Sequence, residues 1–329
     1  MKIAVLIGNK LRSELFTESS IARLGKFGDV YCNKGEGPAV EDLDKLVKDA
    51  DVIVTSWGSP VINEHILSVA PRLRLVAHAA GSVKPIVSDA LFDHGVKISS
   101  SACVLSRGVS EMAVGLTIAG AKNVFAYNTL IHRGIWPEEK SATNELFGLT
   151  VGVVGCGFAG SHYIELMQDY DVRLIAYDPG LDADSIRNIG AEKVNLDELF
   201  RQSDIISLHA PSIKSTYHIV NSESLAMMKQ NAILINTARG SLIDEIALAE
   251  CMNKGKLKYA LLDVTDPEPP LPDNPLLSIS NVILTPHIAG LANNGKLKIG
   301  EHVANEVNRF LSGENLESEV SKEMLATIA

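Results

Sequence analysis

Residues 151–160 read VGVVGCGFAG, an apolar run that passes into Gly155, Gly157 and Gly160. Small and β-branched residues in a row suit a buried strand, and the stretch that follows, ending near Tyr170, suits a helix. In such a strand–turn–helix unit the first glycine permits the tight turn and the second lets backbone N–H groups approach a pyrophosphate. The third lets the helix pack close to the strand, with the partial positive charge of its N-terminus facing the phosphates. A second strand, VRLIAYD (172–178), ends at Asp178, eighteen residues beyond Gly160. An acid there accepts hydrogen bonds from both ribose hydroxyls and repels a 2′-phosphate, and Pro179 and Gly180 offer that phosphate no cation. The reading is NAD rather than NADP. The chain's first strand runs instead into GNKLRS, with no glycine pattern, so the cofactor belongs to the central part of the chain.

Outward from this unit, short apolar runs alternate with helical stretches along the chain, the mark of parallel α/β architecture. KIAVLIG (2–8), DVIVTS (51–56), LRLVAHAA (73–80) and VKISSS (96–101) are strand candidates, with EDLDKLVKDA (41–50) and NEHILSVAP (63–71) as helices between them. One long helical run is expected near 108–130, then a polar loop, GIWPEEKSATNE (134–145). DIISLHA, AILINTA, YALLDV and NVILTPH follow as buried strands. After Pro286 the pattern is helical to the end, with no new strand, so the tail should pack back onto the first unit. The expected domains are therefore 1–105 with 290–329, discontinuous, and 106–289. The fold class is two doubly wound parallel sheets.

The composition bounds the function. With 329 residues, two domains are the default; 46% hydrophobic and 21% charged residues describe an ordinary globular chain. A net charge of −10 with no Lys/Arg run argues against a nucleic-acid partner. The apolar N-terminus is too short for a signal or a membrane span, and no membrane association is expected. Cys32, Cys103, Cys156 and Cys251 lack CxxC or metal-ligand spacing, which reads as reduced thiols, no metal and a cytoplasmic protein.

Three polar residues sit at the ends of successive strands, where ligands bind in such sheets: Arg239 in INTARGSLIDE, Glu268 in LLDVTDPEP and His287 in TPHIAG. Each alone has a bland reading as a surface charge or a structural histidine. Together they supply what dehydrogenation of a 2-hydroxy acid needs: a cation for the carboxylate and C2 oxygen, a proton carrier, and a carboxylate to tune it.

The sequence resembles the D-isomer-specific 2-hydroxyacid dehydrogenase family, which includes D-lactate, D-glycerate/hydroxypyruvate and D-3-phosphoglycerate dehydrogenases. The resemblance runs through SEMAVG, NELFGLTVGVVGCGFAG, SLHAPSIKSTYHIVN, MKQNAILINTARGSLIDE, LLDVTDPEP, LTPHIAG and EVNRFLSGE, in family order. It implies a flavodoxin-like substrate domain and a Rossmann NAD-binding domain, with a cleft between them. It implies that Arg239 grips the substrate carboxylate and keto oxygen, that His287 is the acid/base, and that Glu268 orients it and favours imidazolium. Cofactor contacts carry over to Gly155, Gly157, Phe158, Ala159 and Gly160, to Asp178, to His209, Ala210, Pro211 and Thr216, and to Thr237, Ala238, Asp263 and Gly290. His209 is read there through its backbone, not as an acid or base. The resemblance further implies a homodimer formed through the long helix, and D-stereospecificity.

The chain departs from the family in the loop HAAGSVKPIVSDA (78–90), where Gly-x-Gly-x-Asp-Asn is usual. Gly81, Ser82 and Val83 can still offer backbone N–H groups to a carboxylate, but Lys84 reverses the local charge. Lys84 either favours a substrate with a second anionic group or points to solvent or a nearby acid. In SSSACVLSRGVSE, Ala102 and Leu105 replace the Asn and Pro that phosphoglycerate dehydrogenases tend to carry, which makes 3-phosphoglycerate a poor expectation. No regulatory domain is expected after residue 329. Trp57, after DVIVTS, reads equally as core or as a wall of the substrate pocket. Formate dehydrogenases carry Gln where Glu268 stands. Phosphite oxidation and a non-catalytic NAD-binding scaffold of the corepressor type remain as alternatives.

Overall fold

The computed structural model describes residues 1–37, 40, 42–290 and 293–328; Glu41 and residues 291–292, which the helical readings include, lie outside it. The chain divides into two compact units, Met1–Leu105 with Leu291–Ala329, and Ser106–Gly290. Gly290 thus falls in the second unit, one residue past the boundary read from the sequence.

The first unit is built on β1 (Lys2–Val5), β2 (Asp29–Cys32), β3 (Val52–Thr55), β4 (Leu75–His78) and β5 (Lys97–Ser100), all parallel in the order β2-β1-β3-β4-β5. Alternation along each strand sends successive side chains to opposite faces. Ala4, Ile53, Val76 and Ile98 join one core with Val47, Ile66 and Leu91. Val5, Val54, Leu75 and Ala77 join the other with Ile299, Val303 and Val307 of the helix Asn293–Leu311. Strand β2 was absent from the sequence reading. Its residues are exposed or half-buried in alternation, as an edge strand's are, so it lacks the continuous apolar run that marks the others.

The tail is not helical throughout. Beyond Leu311 the chain turns back, Glu319 forms an antiparallel bridge with Ser99, and a single 3₁₀ turn closes at Glu323–Ala326. Glu306, fully buried on the last long helix, dictates this: its two carboxylate oxygens accept the N–H groups of Glu317 and Ser318, each at 3.0 Å.

The second unit carries β6 (Thr150–Val154), β7 (Arg173–Tyr177), β8 (Glu192–Lys193), β9 (Ile205–Leu208), β10 (Ala232–Asn236), β11 (Leu257–Leu262) and β12 (Val282–Leu284). These form a parallel sheet in the order β12-β11-β10-β9-β6-β7-β8. The order reverses between β6 and β9, which places the ligand-binding crevice of a doubly wound sheet beside the C-terminal end of β6. The expected single helix near 108–130 is two, Ala102–Ala121 and Val124–His132, separated by Asn123 in the left-handed region (φ 61°). The break is fixed from β11: the Tyr259 hydroxyl donates to Asn123 Oδ1 at 2.8 Å and accepts Ala126 N–H at 3.0 Å. The first of these helices is, among the described residues, long and apolar enough to cross a membrane, with mean hydropathy 1.3. Its small face packs inside the unit, where Ser110 donates to the carbonyl of Ala159 and Thr117 meets the Tyr163 hydroxyl at 2.7 Å.

Candidate active site

The glycine turn is shaped by packing at two positions and open at the third. Gly155 sits at φ 92°, and a Cβ there would lie 2.7 Å from Ala210 N; at Gly160 it would lie 1.9 Å from the Gly155 carbonyl oxygen. The close approach of β6, the loop after β9 and the helix Phe158–Met167 therefore requires both glycines. Around Gly157 no described residue other than its chain neighbours lies within 4 Å of the Cβ position. Packing among the described residues therefore does not demand glycine there, and the open face leaves room for a ligand to approach the backbone. Asp178, at the end of β7, accepts Cys156 N–H through Oδ2 and Gly180 N–H through Oδ1, each at 2.8 Å, so its carboxylate is fixed beside the turn.

Two buried polar atoms on the same sheet edge have no partner among the described residues: Thr237 Oγ1, just past β10, and His209 Nδ1, just past β9. Buried polar groups are nearly always bonded, so an orphan here suits a ligand that completes the site. Burial pushes the His209 imidazole down to about 4, so the ring is neutral near neutral pH. Its Nε2 meets Ser207 Oγ at 2.9 Å, and it carries no acid/base signal. Thr216 closes its own turn, donating to the Pro211 carbonyl at 2.6 Å.

Arg239 is delivered by a turn that Asn236 builds. The fully buried amide of Asn236 accepts Ala238 N–H at 3.0 Å and donates to the Arg239 carbonyl at 2.8 Å, which throws the arginine side chain out beyond β10. Burial lowers the guanidinium from its usual value, and the neighbouring Glu268 opposes that shift. Among the described residues its only hydrogen bond runs from Nη1 to the Ala238 carbonyl, which leaves the rest of the fork for an anion.

His287 and Glu268 meet as the resemblance implies, with Nδ1 2.7 Å from Oε2, and both are exposed. With Nδ1 donating to the carboxylate, Nε2 is the nitrogen left to carry a transferable proton. His287 does not end a strand: β12 stops at Leu284, and His287 stands in the following loop at φ 51°. A histidine in the left-handed region costs about 1 kcal/mol, and Asp263 holds it there. The fully buried carboxylate of Asp263 accepts Thr285 Oγ1–H at 2.5 Å, Ile288 N–H at 2.9 Å and Ala289 N–H at 2.8 Å. Its own carbonyl accepts His287 N–H at 2.9 Å. The side chain of Asp263, read from the sequence as a cofactor contact, is thus committed to the loop that carries His287. Neither Asn236 nor Thr285 was singled out from the sequence. An Asn closing a strand just before TARG was the available signal for the first.

The loop at 81–84 lies in the first unit, just beyond β4. Val83 is fully buried, and Ser100 Oγ ties down the Gly81 carbonyl at 2.9 Å. Lys84 Nζ donates to the carbonyl of Ile328 at 2.6 Å, which joins the loop to the returning tail. Where the strand order reverses between β1 and β3, a cavity of about 470 Å³ opens, walled in part by Leu6, Ile7, Lys10, Leu11 and Trp57. Trp57 is 39% exposed, so it is not core.

A glycine cradle at the switch point of a Rossmann sheet, with a His–carboxylate pair and an arginine beyond adjacent strands of that sheet, is the layout of a dinucleotide-binding oxidoreductase domain. Residues 114–289 match the model of the D-isomer specific 2-hydroxyacid dehydrogenase NAD binding domain. The chain belongs to the D-isomer specific 2-hydroxyacid dehydrogenase family, and its cofactor is NAD. It is 35% identical over 305 residues to D-3-phosphoglycerate dehydrogenase of Methanocaldococcus jannaschii, covering 92% of this chain but 57% of that relative. With hydroxypyruvate reductase of Thermotoga maritima it shares 34% identity over 82% of this chain and 88% of the relative. With glyoxylate reductase of Korarchaeum cryptofilum it shares 31% over 88% of each. In fold it resembles D-lactate dehydrogenase from Lactobacillus jensenii, at TM-score 0.82 and 23% identity over 98% of this chain and all of that one.

Proposed function

We propose that this chain interconverts a small D-2-hydroxy acid and its 2-oxo acid, and that Arg239, Glu268 and His287 carry the reaction. The observation that carries the reading is the 2.7 Å pair of His287 and Glu268, held in the same unit as the glycine cradle and Arg239. The cofactor, when bound, would supply the hydride to C2 as NADH or accept it from C2 as NAD⁺. In the reducing direction Arg239 holds the carboxylate and draws charge toward the C2 oxygen as it becomes anionic. His287 gives that oxygen the proton on Nε2 and is left neutral, with Nδ1–H still on Glu268. Oxidation reverses each transfer. Backbone N–H groups of residues 81–83 are assigned to the substrate carboxylate by family resemblance. Asp178 is assigned to the ribose hydroxyls in the same way.

Glyoxylate and hydroxypyruvate come first among substrates, because the relatives so named match over most of their length. Ala102 and Leu105 keep 3-phosphoglycerate below them. The Lys84–Ile328 contact gives no support to a substrate with a second anionic group. We also propose a homodimer that uses the helices Ala102–Ala121 and Val124–His132 and the loop after them. Val124, Ile131, Ile135, Trp136 and Phe147 are exposed apolar side chains along this stretch, Trp136 at 74%. Among the described residues no disulfide joins Cys32, Cys103, Cys156 and Cys251, in keeping with a reducing compartment such as the cytoplasm.

The test is NADH oxidation with a panel of pyruvate, glyoxylate, hydroxypyruvate, oxaloacetate, 2-oxoglutarate, 2-oxoisocaproate and phenylpyruvate, with His287→Ala as control. Turnover of one acid that the substitution abolishes establishes the reaction. Tight NADH binding without turnover of any acid refutes it in favour of a scaffold.

A further inference from the structure

Glu268 stands on an exposed loop, and residues 266–269 are all exposed, so burial does not set its position. Thr265 N–H reaches Glu268 Oε1 at 3.4 Å, and two features of the segment after β10 fix the loop itself. A Cβ on Gly240, next to Arg239, would fall 2.1 Å from the carbonyl carbon and oxygen of Thr265 and 2.6 Å from Asp266 N. The Arg239 turn and the Glu268 loop therefore meet backbone to backbone. Five residues on, Glu245 reaches across to the same loop. Its Oε1 accepts Asp266 N–H at 3.0 Å, and its Oε2 accepts the Asn274 amide at 2.6 Å. Asn274 cannot turn its amide over without loss, because Oδ1 accepts Leu276 N–H at 3.0 Å to cap the next 3₁₀ turn. One carboxylate thus grips the Glu268 loop on both sides, two residues before Glu268 and six after it. Just before the grip Thr265 Oγ1 donates to the Pro267 carbonyl at 2.9 Å, which tightens the start of the loop.

We propose that Glu245 is a positioning residue: it fixes the loop that aims Glu268 at His287 Nδ1, and with Gly240 it locks that pair in register with Arg239. The inference rests on reading Arg239, Glu268 and His287 as the reacting groups. The competing role for Glu245 is that of an acid in the first turn of the helix Glu245–Asn253, favourable to the helix dipole. Asp244 already caps that helix, accepting Ile246 N–H at 3.1 Å and Ala247 N–H at 3.0 Å. A dipole role needs no particular direction of the side chain, and Glu245 is turned onto the loop.

Displacement of a reacting group by about 1 Å costs on the order of a hundredfold in rate. Glu245→Ala therefore lowers kcat/KM for glyoxylate or hydroxypyruvate about tenfold to a hundredfold and leaves the NADH Kd within about twofold. Its pH–rate profile shifts in the same direction as that of Glu268→Gln. Glu245→Gln keeps the acceptor for Asp266 N–H but sets an NH₂ against the Asn274 amide, so its loss is intermediate. A second readout is independent of turnover: the His287 imidazole NMR signals, assigned by their absence in His287→Asn, move in Glu245→Ala toward their positions in Glu268→Gln. Folded Glu245→Ala with wild-type His287 signals and a wild-type pH profile overturns the proposal. If Glu245→Ala does not fold, the same comparisons on Glu245→Gln decide it. If wild-type protein reduces no acid, the proposed reaction falls and the NMR comparison alone decides the role of Glu245.

Discussion

Asp263→Asn tests the reasoning on the His287 loop most directly. The wild-type carboxylate is fully buried and receives three donors, one hydroxyl and two backbone N–H groups, from residues 285, 288 and 289. Asparagine keeps one acceptor oxygen and adds an NH₂. If the oxygen stays with Thr285 and Ile288, the NH₂ faces Ala289 N–H, and a buried donor goes unpaired. The reverse orientation strands two donors. A donor left unpaired in the interior costs about 1–3 kcal/mol, and loss of charge-assisted bonding adds to it. Relief from burying a charge offsets part of this. The net is about 2–4 kcal/mol, or a fall in Tm of roughly 5–12 °C for a unit of this size. Calorimetry on the variant checks the figure, and a kcat/KM loss with NADH Kd within about threefold checks that His287 is what moved. An unchanged melt together with lost NADH affinity would refute the reasoning, because the carboxylate would then be facing the cofactor and not the loop.

Gly157→Ala weakens NADH binding about tenfold or more with Tm unchanged, whereas Gly155→Ala, at φ 92° against Ala210, lowers Tm; titration and melting of both separate cradle from fold. His78, 2% exposed with Nδ1 2.8 Å from Thr55 Oγ1, is pushed by burial down to about 4, against a backbone hydrogen bond at Ser82 that raises it. The unfolded chain takes up this proton first, so stability falls as pH drops from 6.5 toward 4, by about 3 kcal/mol at most. In His78→Gln the acid limb of a pH–Tm series flattens across that window, with His209 leaving a residual slope; an unaltered limb rejects the assignment. Asp178→Ser removes the acid beside the glycine turn and narrows the NADH-over-NADPH preference, measured as the ratio of the two Kd values.

Much of this molecule was readable in the chain because buried parallel strands announce themselves as apolar runs. What escaped was set by contacts remote in sequence or by weak local signals. Strand β8 is two exposed residues, Glu192 and Lys193, paired with β7 at the sheet edge, and two residues carry no periodicity. The break at Asn123 interrupts an apolar run that continues on both sides, and the hydroxyl that fixes it belongs to Tyr259, far along the chain. The site divides the same way. Arg239, Glu268 and His287 are ionisable types shortly after successive apolar strands and stand out. Of the residues that aim them, Asn236 left a local signal, an Asn closing a strand before a turn, whereas Glu245 and Thr285 bond to groups about twenty residues away that no local pattern specifies.

The first unit is assembled from both ends of the sequence, and that has a consequence for synthesis. The helix Asn293–Leu311 supplies Ile299, Val303 and Val307 to one face of the β1–β5 sheet, yet it follows the whole second unit in the chain. A nascent chain therefore presents Val5, Val54, Leu75 and Ala77 only partly covered, by Leu15, Phe16 and Leu24, while the ribosome makes residues 106–290, which can already close their own core. Domains usually complete in order of emergence; here the inserted one matures first and the N-terminal sheet waits, open to chaperones and to wrong partners, for its last helix.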